Sequence, residues 1–146
     1  MRQSPTDQPI EVHLTVSDGL EAITFYEQAF GATEAFHQMA DDGARVLHAT
    51  LKVFGTQIML SDQFPEVGTG VTAPPSLGGT TVTLHVNLAS PAEVDRVMAR
   101  ASDAGATITM APSDTFWGMR YGQLKDPFGH AWSFGAALPD AQGAAP

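Results

Sequence analysis

A short internal repeat constrains this chain more than any other feature of its sequence. Gly31-Ala32-Thr33 recurs as Gly105-Ala106-Thr107, and Phe54-Gly55 recurs as Phe128-Gly129, in both cases 74 residues further along the chain. Two such matches at one spacing predict a supersecondary unit that is built twice, provided that the elements around the shared residues also recur.

The first copy is predicted from hydrophobic periodicity and from turn residues. Residues 10–16 alternate with period 2, as a half-buried strand does, and Asp18 is placed to cap a helix over residues 19–30. Gly31 ends that helix, because glycine readily adopts the left-handed conformation of a helix C-cap. Three further strands are predicted at residues 33–39, 45–53 and 56–61.

The second copy repeats this order of elements. A β-branched run at residues 80–88 predicts a strand, and Ser90 with Pro91 begins a helix that Gly105 ends. The remaining strands are predicted at residues 106–110, 119–125 and 130–134.

The repeat therefore predicts an α+β protein of two βαβββ modules, which together form one curved mixed sheet. The helices would lie outside and a ligand groove would lie on the concave inner face. The predicted organisation is a flexible tail at 1–9, a first module at 10–62, a linker at 63–79, a second module at 80–136 and a flexible tail at 137–146.

Composition excludes several classes of protein. Seven Lys and Arg against sixteen Asp and Glu give a net charge of -9, which argues against nucleic acid as a partner. The absence of cysteine excludes disulfides and thiolate metal sites. No apolar run reaches the roughly 18 residues of a membrane span, and the N-terminus lacks a signal peptide, so we expect a cytoplasmic protein that does not enter a membrane.

Five segments resemble the vicinal oxygen chelate superfamily of glyoxalases, bleomycin-resistance proteins and dioxygenases, and in particular its PhnB-like branch. These segments are residues 25–32 (FYEQAFGA), 46–49 (VLHA), 58–62 (IMLSD), 116–122 (FWGMRYG) and 126–132 (DPFGHAW). The resemblance implies paired βαβββ modules and a homodimer. It implies no single reaction, because the superfamily includes isomerases, dioxygenases, thiol transferases and drug-binding proteins.

The resemblance also indicates where a metal would bind. Metal-dependent members carry one ligand on the first strand and one on the last strand of each module, and these positions correspond to Glu11, Met59, Thr83 and Ser133. One carboxylate, one thioether and two hydroxyls bind a divalent ion poorly, so we expect no metal and no other cofactor.

Two histidines occupy matching places in the first strands of the two modules. His13 and His85 are 72 residues apart, and strand alternation places them on the same faces as Glu11 and Thr83. Facing the groove, they would bind a ligand, act as a general base, or hold a weakly bound metal ion together with Glu11. The alternative is that both are hydrogen-bonded polar residues of a half-buried sheet.

Four other positions are candidates for ligand contact. Trp117 and Tyr121 would stack on a planar ligand, and Arg120 would pair with an anionic group. The alternative is an aromatic hinge at a module or dimer seam, with Arg120 bound to a nearby Asp. His48, in phase with Val46 and Thr50, either joins the groove or packs within the sheet.

The leading hypothesis is a PhnB-like protein that binds a small molecule in the groove, with no catalytic residue assigned. One alternative is a metal-dependent lyase, isomerase or dioxygenase, and another is a drug-sequestering protein whose acidic surface attracts a cationic drug. The candidate groove residues are Glu11, His13, His48, Met59, Thr83, His85, Trp117, Arg120, Tyr121 and Ser133.

Overall fold

A computed structural model describes residues 7–139, which contain eight strands and three α-helices. The predicted tails lie partly outside these residues, at 1–6 and 140–146. In chain order the elements are β1 (His13–Val16), α1 (Gly19–Phe30), β2 (Thr33–Met39), β3 (Val46–Val53), β4 (Thr56–Asp62), a 3-10 helix (Pro65–Val67), α2 (Pro74–Leu77), β5 (Thr83–Asn87), α3 (Pro91–Ala104), β6 (Thr107–Asp114), β7 (Met119–Lys125) and β8 (Ala131–Ala137).

The chain divides into two units between Gly79 and Thr80, and each unit contains one four-stranded mixed sheet. The strand orders are β1-β4-β3-β2 and β5-β8-β7-β6. In each sheet the first strand pairs in parallel with the last, while the other pairs are antiparallel. The predicted α+β class, with one βαβββ order used twice, is confirmed.

Capping residues give both long helices the predicted bounds. The Asp18 carboxylate accepts a hydrogen bond from the backbone N–H of Glu21, and Gly31 ends α1 in the left-handed conformation with φ of 69°. The hydroxyl of Ser90 accepts a hydrogen bond from the backbone N–H of Glu93, one turn into α3. Each cap satisfies a backbone donor that the helix itself leaves without a partner.

In the first unit, α1 packs on one face of the sheet, and a buried aspartate fixes the start of the helix. Asp62, at the end of β4, accepts hydrogen bonds from the backbone N–H groups of Gly19 (3.0 Å) and Val46 (2.7 Å). A Cβ atom at Gly19 would lie only 2.6–2.7 Å from Asp62 and Val46, so this approach requires glycine. Tyr26, Leu51 and Leu60 are fully buried in the core.

In the second unit, α3 covers the corresponding face of its sheet. Trp132 and Phe134 of β8 are buried there. Asp126, in the turn before β8, accepts hydrogen bonds from the backbone N–H groups of Phe128 and His130 and from the indole N–H of Trp132. One buried carboxylate thus holds both the turn and the largest core side chain.

Several predicted strand bounds are wrong. β1 begins at His13 and not at residue 10, because Ile10 is exposed. β6 continues past Met110 to Asp114, and β8 continues to Ala137, where the sequence had predicted a tail. Smaller shifts occur elsewhere: β3 begins at Val46, β4 ends at Asp62, β5 covers Thr83–Asn87 and β8 begins at Ala131.

The segment predicted as a plain linker contains the 3-10 helix and α2. No helix within residues 7–139 is long and apolar enough to cross a membrane.

Candidate functional site

The sheet face opposite α1 in the first unit carries polar side chains from several strands. His13 lies directly across from Met59, which lies across from Thr50, and Thr15 lies across from Ser61. Cross-strand partners share a face, so these five residues form one surface. The neighbouring residues in each strand point to the buried helix side.

His13 is the centre of this surface. Its Nε2 atom lies 3.0 Å from Oγ of Ser61, and its ring meets the ring of His48 edge-on at 6.2 Å. His13 keeps contact with solvent, yet partial burial lowers the pKa of its imidazole. The ring is therefore neutral around pH 7 and can donate one hydrogen bond and accept another.

His48 lies on the same surface, which agrees with the alternative that it faces the same side as His13. Its Nε2 atom is 3.3 Å from Oγ1 of Thr50. Val46 does not share this face, although simple alternation predicted that it would. The pairing of β2 with β3 shifts between Val46 and His48, so Leu47 is the extra residue of a β-bulge.

A cavity of about 390 Å³ opens on this surface beside His13. One side is the sheet, and the opposite side is the segment that follows β4. The lining residues are His13, Thr15, Leu47, Ser61, Asp62, Phe64, Val67, Thr69 and Val71.

The chemistry of the lining restricts what the cavity can accept. Four apolar side chains line it, and its neutral polar groups are one imidazole and three hydroxyls. The single charged lining residue is Asp62, whose carboxylate already accepts two backbone hydrogen bonds. With no Lys or Arg in the lining, the cavity suits an uncharged or cationic molecule better than an anion.

His85, the counterpart of His13 in the second unit, is held more tightly. Its Nδ1 atom lies 2.8 Å from Oγ of Ser133, and its Nε2 atom lies 3.1 Å from Oδ1 of Asn87. The ring stacks on Tyr121 with centroids 5.9 Å apart, and a Cβ atom at Gly135 would come within 3.0 Å of it. Since Asn87 Oδ1 accepts from Nε2–H, Nδ1 of the neutral ring accepts the hydroxyl hydrogen of Ser133.

Aromatic side chains extend this surface of the second unit. The Trp117 ring lies 6.0 Å from the Tyr121 ring, and Phe116 meets Trp117 edge-on at 5.1 Å. The side-chain amide of Gln123 donates to the hydroxyl of Tyr121 at 3.0 Å. Phe116 is 98% exposed and Trp117 is 54% exposed, so both side chains are accessible to solvent. The structure thus brings Trp117, Tyr121 and His85 together.

Arg120 does not join this surface. It lies across from Ala136, whereas Tyr121 lies across from Gly135, so the two neighbours point to opposite faces of the sheet. The guanidinium binds Asp95 of α3 at 3.0 Å and Asp114 of β6 at 3.2 Å. The prediction that Arg120 faces the ligand together with Tyr121 is wrong, and its alternative, an ion pair with a nearby Asp, is what the structure contains.

The positions at which the resemblance implies metal ligands do not fit a divalent ion. The Glu11 carboxylate accepts a hydrogen bond from the Gln57 amide at 2.8 Å, and Met59 offers only a thioether. Ser133 is hydrogen-bonded to His85, and Thr83 lies across from Ala131. Within residues 7–139, no three His, Asp or Glu side chains form a group that could hold a metal. The low metal content of the protein stays a prediction.

Sequence reasoning identified only one of the nine lining residues, His13. The lining residues from Phe64 to Val71 were missed because residues 63–79 were interpreted as a linker, and the other four, Thr15, Leu47, Ser61 and Asp62, were not among the candidates. A weak signal was present: Val67, Thr69 and Val71 alternate with glycines, which is typical of a segment that has one contacting side.

Comparison with known proteins gives consistent matches. The family model described as Glyoxalase/Bleomycin resistance protein/Dioxygenase superfamily matches residues 9–134. The Mycobacterium tuberculosis protein Rv0887c is 44% identical over 124 residues, which cover 84% of this chain and 71% of that protein.

Two solved structures are similar in fold. The Arabidopsis thaliana At5g48480 structure has a TM-score of 0.67 and 28% identity, with 86% of this chain and 95% of that chain covered. A PhnB protein from Bacillus cereus has a TM-score of 0.68 and 24% identity, with coverage of 89% and 100%.

Proposed function

The chain belongs to the Glyoxalase/Bleomycin resistance protein/Dioxygenase superfamily, and from this premise we propose that it binds a small, largely apolar molecule in the cavity beside His13. The observation that carries the proposal is the cavity itself. Its volume of about 390 Å³ lies within the range of small-molecule sites, roughly 300–1,000 Å³, and its mixture of apolar walls with a few polar groups is typical of them.

Each part of the lining has a role in this proposal. Leu47, Phe64 and Val71 provide the apolar contacts that favour binding by removing ligand surface from water. His13 and Ser61 provide hydrogen bonds at the sheet side, which would orient a ligand with one polar group. We assign no bond-making step to this lining.

The second unit offers a separate surface to a planar group. The Trp117 side chain is 54% exposed and lies beside the Tyr121 ring, which is itself stacked on His85. A Trp117→Ala variant should weaken the binding of a planar ligand if this surface takes part, and leave it unchanged if it does not.

A second candidate function, sequestration of a cationic drug, is favoured by charge. The only charged residue that lines the cavity is Asp62, and the chain has a net charge of -9. Both would attract a cation from solution. A cationic aromatic dye that binds at least tenfold more tightly than an uncharged dye of the same size would support this second function over the first.

The test uses N-phenyl-1-naphthylamine, an uncharged dye that becomes fluorescent in apolar surroundings. We expect saturable binding to the wild-type protein and much weaker binding of the anionic dye 1-anilinonaphthalene-8-sulfonate. Val71→Asp places a charge in the cavity lining and should weaken binding of the uncharged dye about tenfold, or about 1.4 kcal/mol.

Val82→Asp is the matched control. Val71 and Val82 are both 61% exposed, but Val82 lies in the second unit and does not line the cavity. Both variants change the net charge equally. Equal affinity of the two variants for the dye, or no saturable binding by the wild-type protein, would contradict the proposed function.

We also propose that the protein is a homodimer. Large apolar side chains such as Phe116 (98% exposed) and Ile10 (84% exposed) are the kind of surface that a second copy covers. Light scattering should give about twice the chain mass of 15.4 kDa. A monomer that is stable at micromolar concentration would refute the dimer without affecting the cavity.

A further inference from the structure

The outer wall of the cavity is a short segment, residues 64–71, which we call the 64–71 wall. Phe64, Val67, Thr69 and Val71 of this wall line the cavity. Backbone hydrogen bonds from Val67 to Phe64 and from Gly68 to Pro65 close local turns and do not join the wall to the sheet. Gln63 ties the two ends of the wall, because its N–H donates to the Val16 carbonyl of β1 and its side-chain oxygen accepts the Ala73 N–H. Between these ends the position of the wall depends on side-chain contacts.

One side chain, Arg45, reaches this wall from the turn between β2 and β3. Its Nη2 atom lies 2.7 Å from Glu66 Oε2 and its Nη1 atom lies 3.2 Å from Glu66 Oε1, which is a bidentate ion pair. Nη1 also donates to the backbone carbonyl of Gln63 at 3.3 Å. The guanidinium carbon lies 4.3 Å from the centre of the Phe64 ring, within the distance of a cation–π contact.

Asp42 forms a second ion pair with Arg45. Its Nε atom donates to Asp42 Oδ2 at 2.7 Å, while Asp42 Oδ1 accepts the backbone N–H groups of Ala44 and Arg45. The backbone N–H of Arg45, followed by that of Ala44 and by the guanidinium, lowers the pKa of Asp42 to about 2. The carboxylate is therefore ionised at every pH at which the protein would normally be handled.

From these contacts we infer that Arg45 is a positioning residue of the proposed ligand cavity, which holds the 64–71 wall through Glu66 and Phe64 and so sets ligand affinity. The inference rests on the proposed function. Arg45 does not line the cavity, so it acts only through the wall. If the binding-competent position of the wall is populated for a smaller fraction of the time, the apparent dissociation constant rises by the inverse of that fraction.

An ordinary surface ion pair would not have this effect. Exposed pairs contribute little to stability, since solvent screens them and the side chains lose entropy. Arg45 differs because one guanidinium joins two separate segments by a bidentate pair, a carbonyl and an aromatic ring. Removing it should thus change the wall more than it changes the stability of the unit.

The experiment compares Arg45→Met with Arg120→Met. Arg120 is a matched control, because it also bridges two carboxylates on separate elements but belongs to the second unit and does not line the cavity. We expect Arg45→Met to weaken binding of N-phenyl-1-naphthylamine about five- to tenfold and to speed amide hydrogen exchange in the 64–71 wall. Arg120→Met should do neither, with a similar change in melting temperature.

Two further variants keep the inference falsifiable if Arg45→Met folds poorly. Glu66→Ala removes the partner on the wall and should reproduce the weaker binding and the faster exchange. Arg45→Lys keeps the charge without the bidentate geometry and should restore only part of the affinity. Because Glu66 acts on the wall only through Arg45, Arg45→Met combined with Glu66→Ala should bind the dye no more weakly than Arg45→Met alone.

The failures of the two proposals are distinguishable. If Arg45→Met binds the dye like wild type and exchange in the wall is unchanged, while Val71→Asp weakens binding, the role of Arg45 is overturned and the proposed function stands. If the wild-type protein does not bind the dye, or Val71→Asp and Val82→Asp bind equally, both proposals are overturned.

Discussion

The two units share one βαβββ scaffold, but the histidines at equivalent positions, His13 and His85, have different surroundings. His13 and His85 stand at the same register position, since His13 lies across from Met59 and His85 lies across from Ser133, the residue that corresponds to Met59. His13 is bonded to Ser61, two residues further along its neighbouring strand. His85 is bonded on both ring nitrogens and is stacked on Tyr121.

The first unit also has a segment outside the repeat that completes its site. After β4 the chain forms the 64–71 wall and thereby the cavity. The repeated βαβββ pattern therefore provides the sheet and the histidine, and the residues outside the repeat distinguish one site from the other. Each prediction below sets a change in one unit against its counterpart in the other.

The largest expected effect comes from the two buried aspartates, which hold different parts of their units. Asp126→Ala removes the acceptor of three N–H donors, two of them buried and one part-buried, and should lower the free energy of unfolding by about 4 kcal/mol. Asp62→Ala removes the acceptor of two buried donors and should cost about 3 kcal/mol. Urea denaturation measures both. Asp41→Ala, on the surface, is the control and should change stability by less than about 0.5 kcal/mol. If Asp126→Ala and Asp62→Ala lose no more stability than this control, these carboxylates do not organise the units.

A smaller effect should separate the two histidines. His13→Gln removes a cavity group and should weaken binding of N-phenyl-1-naphthylamine by about 1 to 3 kcal/mol, while stability changes by less than about 1 kcal/mol. His85→Gln loses two side-chain hydrogen bonds and a stacked ring, so it should cost about 1 to 2 kcal/mol of stability. Dye titration and thermal melting on both variants provide the measurements. The opposite pattern, in which His13→Gln melts early and still binds the dye, would make His13 a structural residue.

A third effect, smaller again, is the pH dependence of stability due to His13. Burial lowers the pKa of His13 in the folded protein, so the unfolded chain binds a proton first as the pH falls. The stability that the neutral ring contributes is fully present above the ordinary pKa of 6.5. It is lost as the pH falls from 6.5 towards the lowered pKa of the folded state. The melting temperature should therefore fall between pH 8 and pH 5 by more in wild type than in His13→Gln. The neighbouring His48 and Asp62 are present in both proteins, so the comparison isolates His13. Parallel pH profiles would exclude the linkage.

Much of the scaffold was predictable because local chemistry decides it. The bounds of α1 and α3 follow from their caps at Asp18 and Ser90, and the bounds of β7 follow from the turns on either side. β6 was predicted to end at Met110, but it continues through Pro112 to Asp114. It is an edge strand with an irregular register at that point, and an edge strand tolerates a proline there.

The site was less predictable because it depends on contacts between distant segments. Alternation alone should have separated Arg120 from Tyr121, since neighbours in a strand point to opposite faces. The contact between His13 and Ser61 depends on the register of a parallel strand pair, which has no local sequence signal. The 64–71 wall is positioned by Arg45, 21 residues before Glu66, and no periodicity indicates such a pair.

The smallest expected effect is that of removing metal, which should change nothing in either unit. The positions where the resemblance implies ligands hold Glu11, Met59, Thr83 and Ser133, and in each unit at least one of them is already hydrogen-bonded to a protein side chain. A metal that bound the folded protein tightly would raise its melting temperature, and removing that metal would lower it. We therefore expect the same melting temperature before and after dialysis against EDTA, and well under one equivalent of zinc, iron, manganese or nickel by elemental analysis. A near-stoichiometric metal content that is lost in both His13→Ala and His85→Ala would contradict this prediction. It would favour a metal-dependent lyase, isomerase or dioxygenase, because these two imidazoles and Glu11 are the groups that would have to replace the missing ligands.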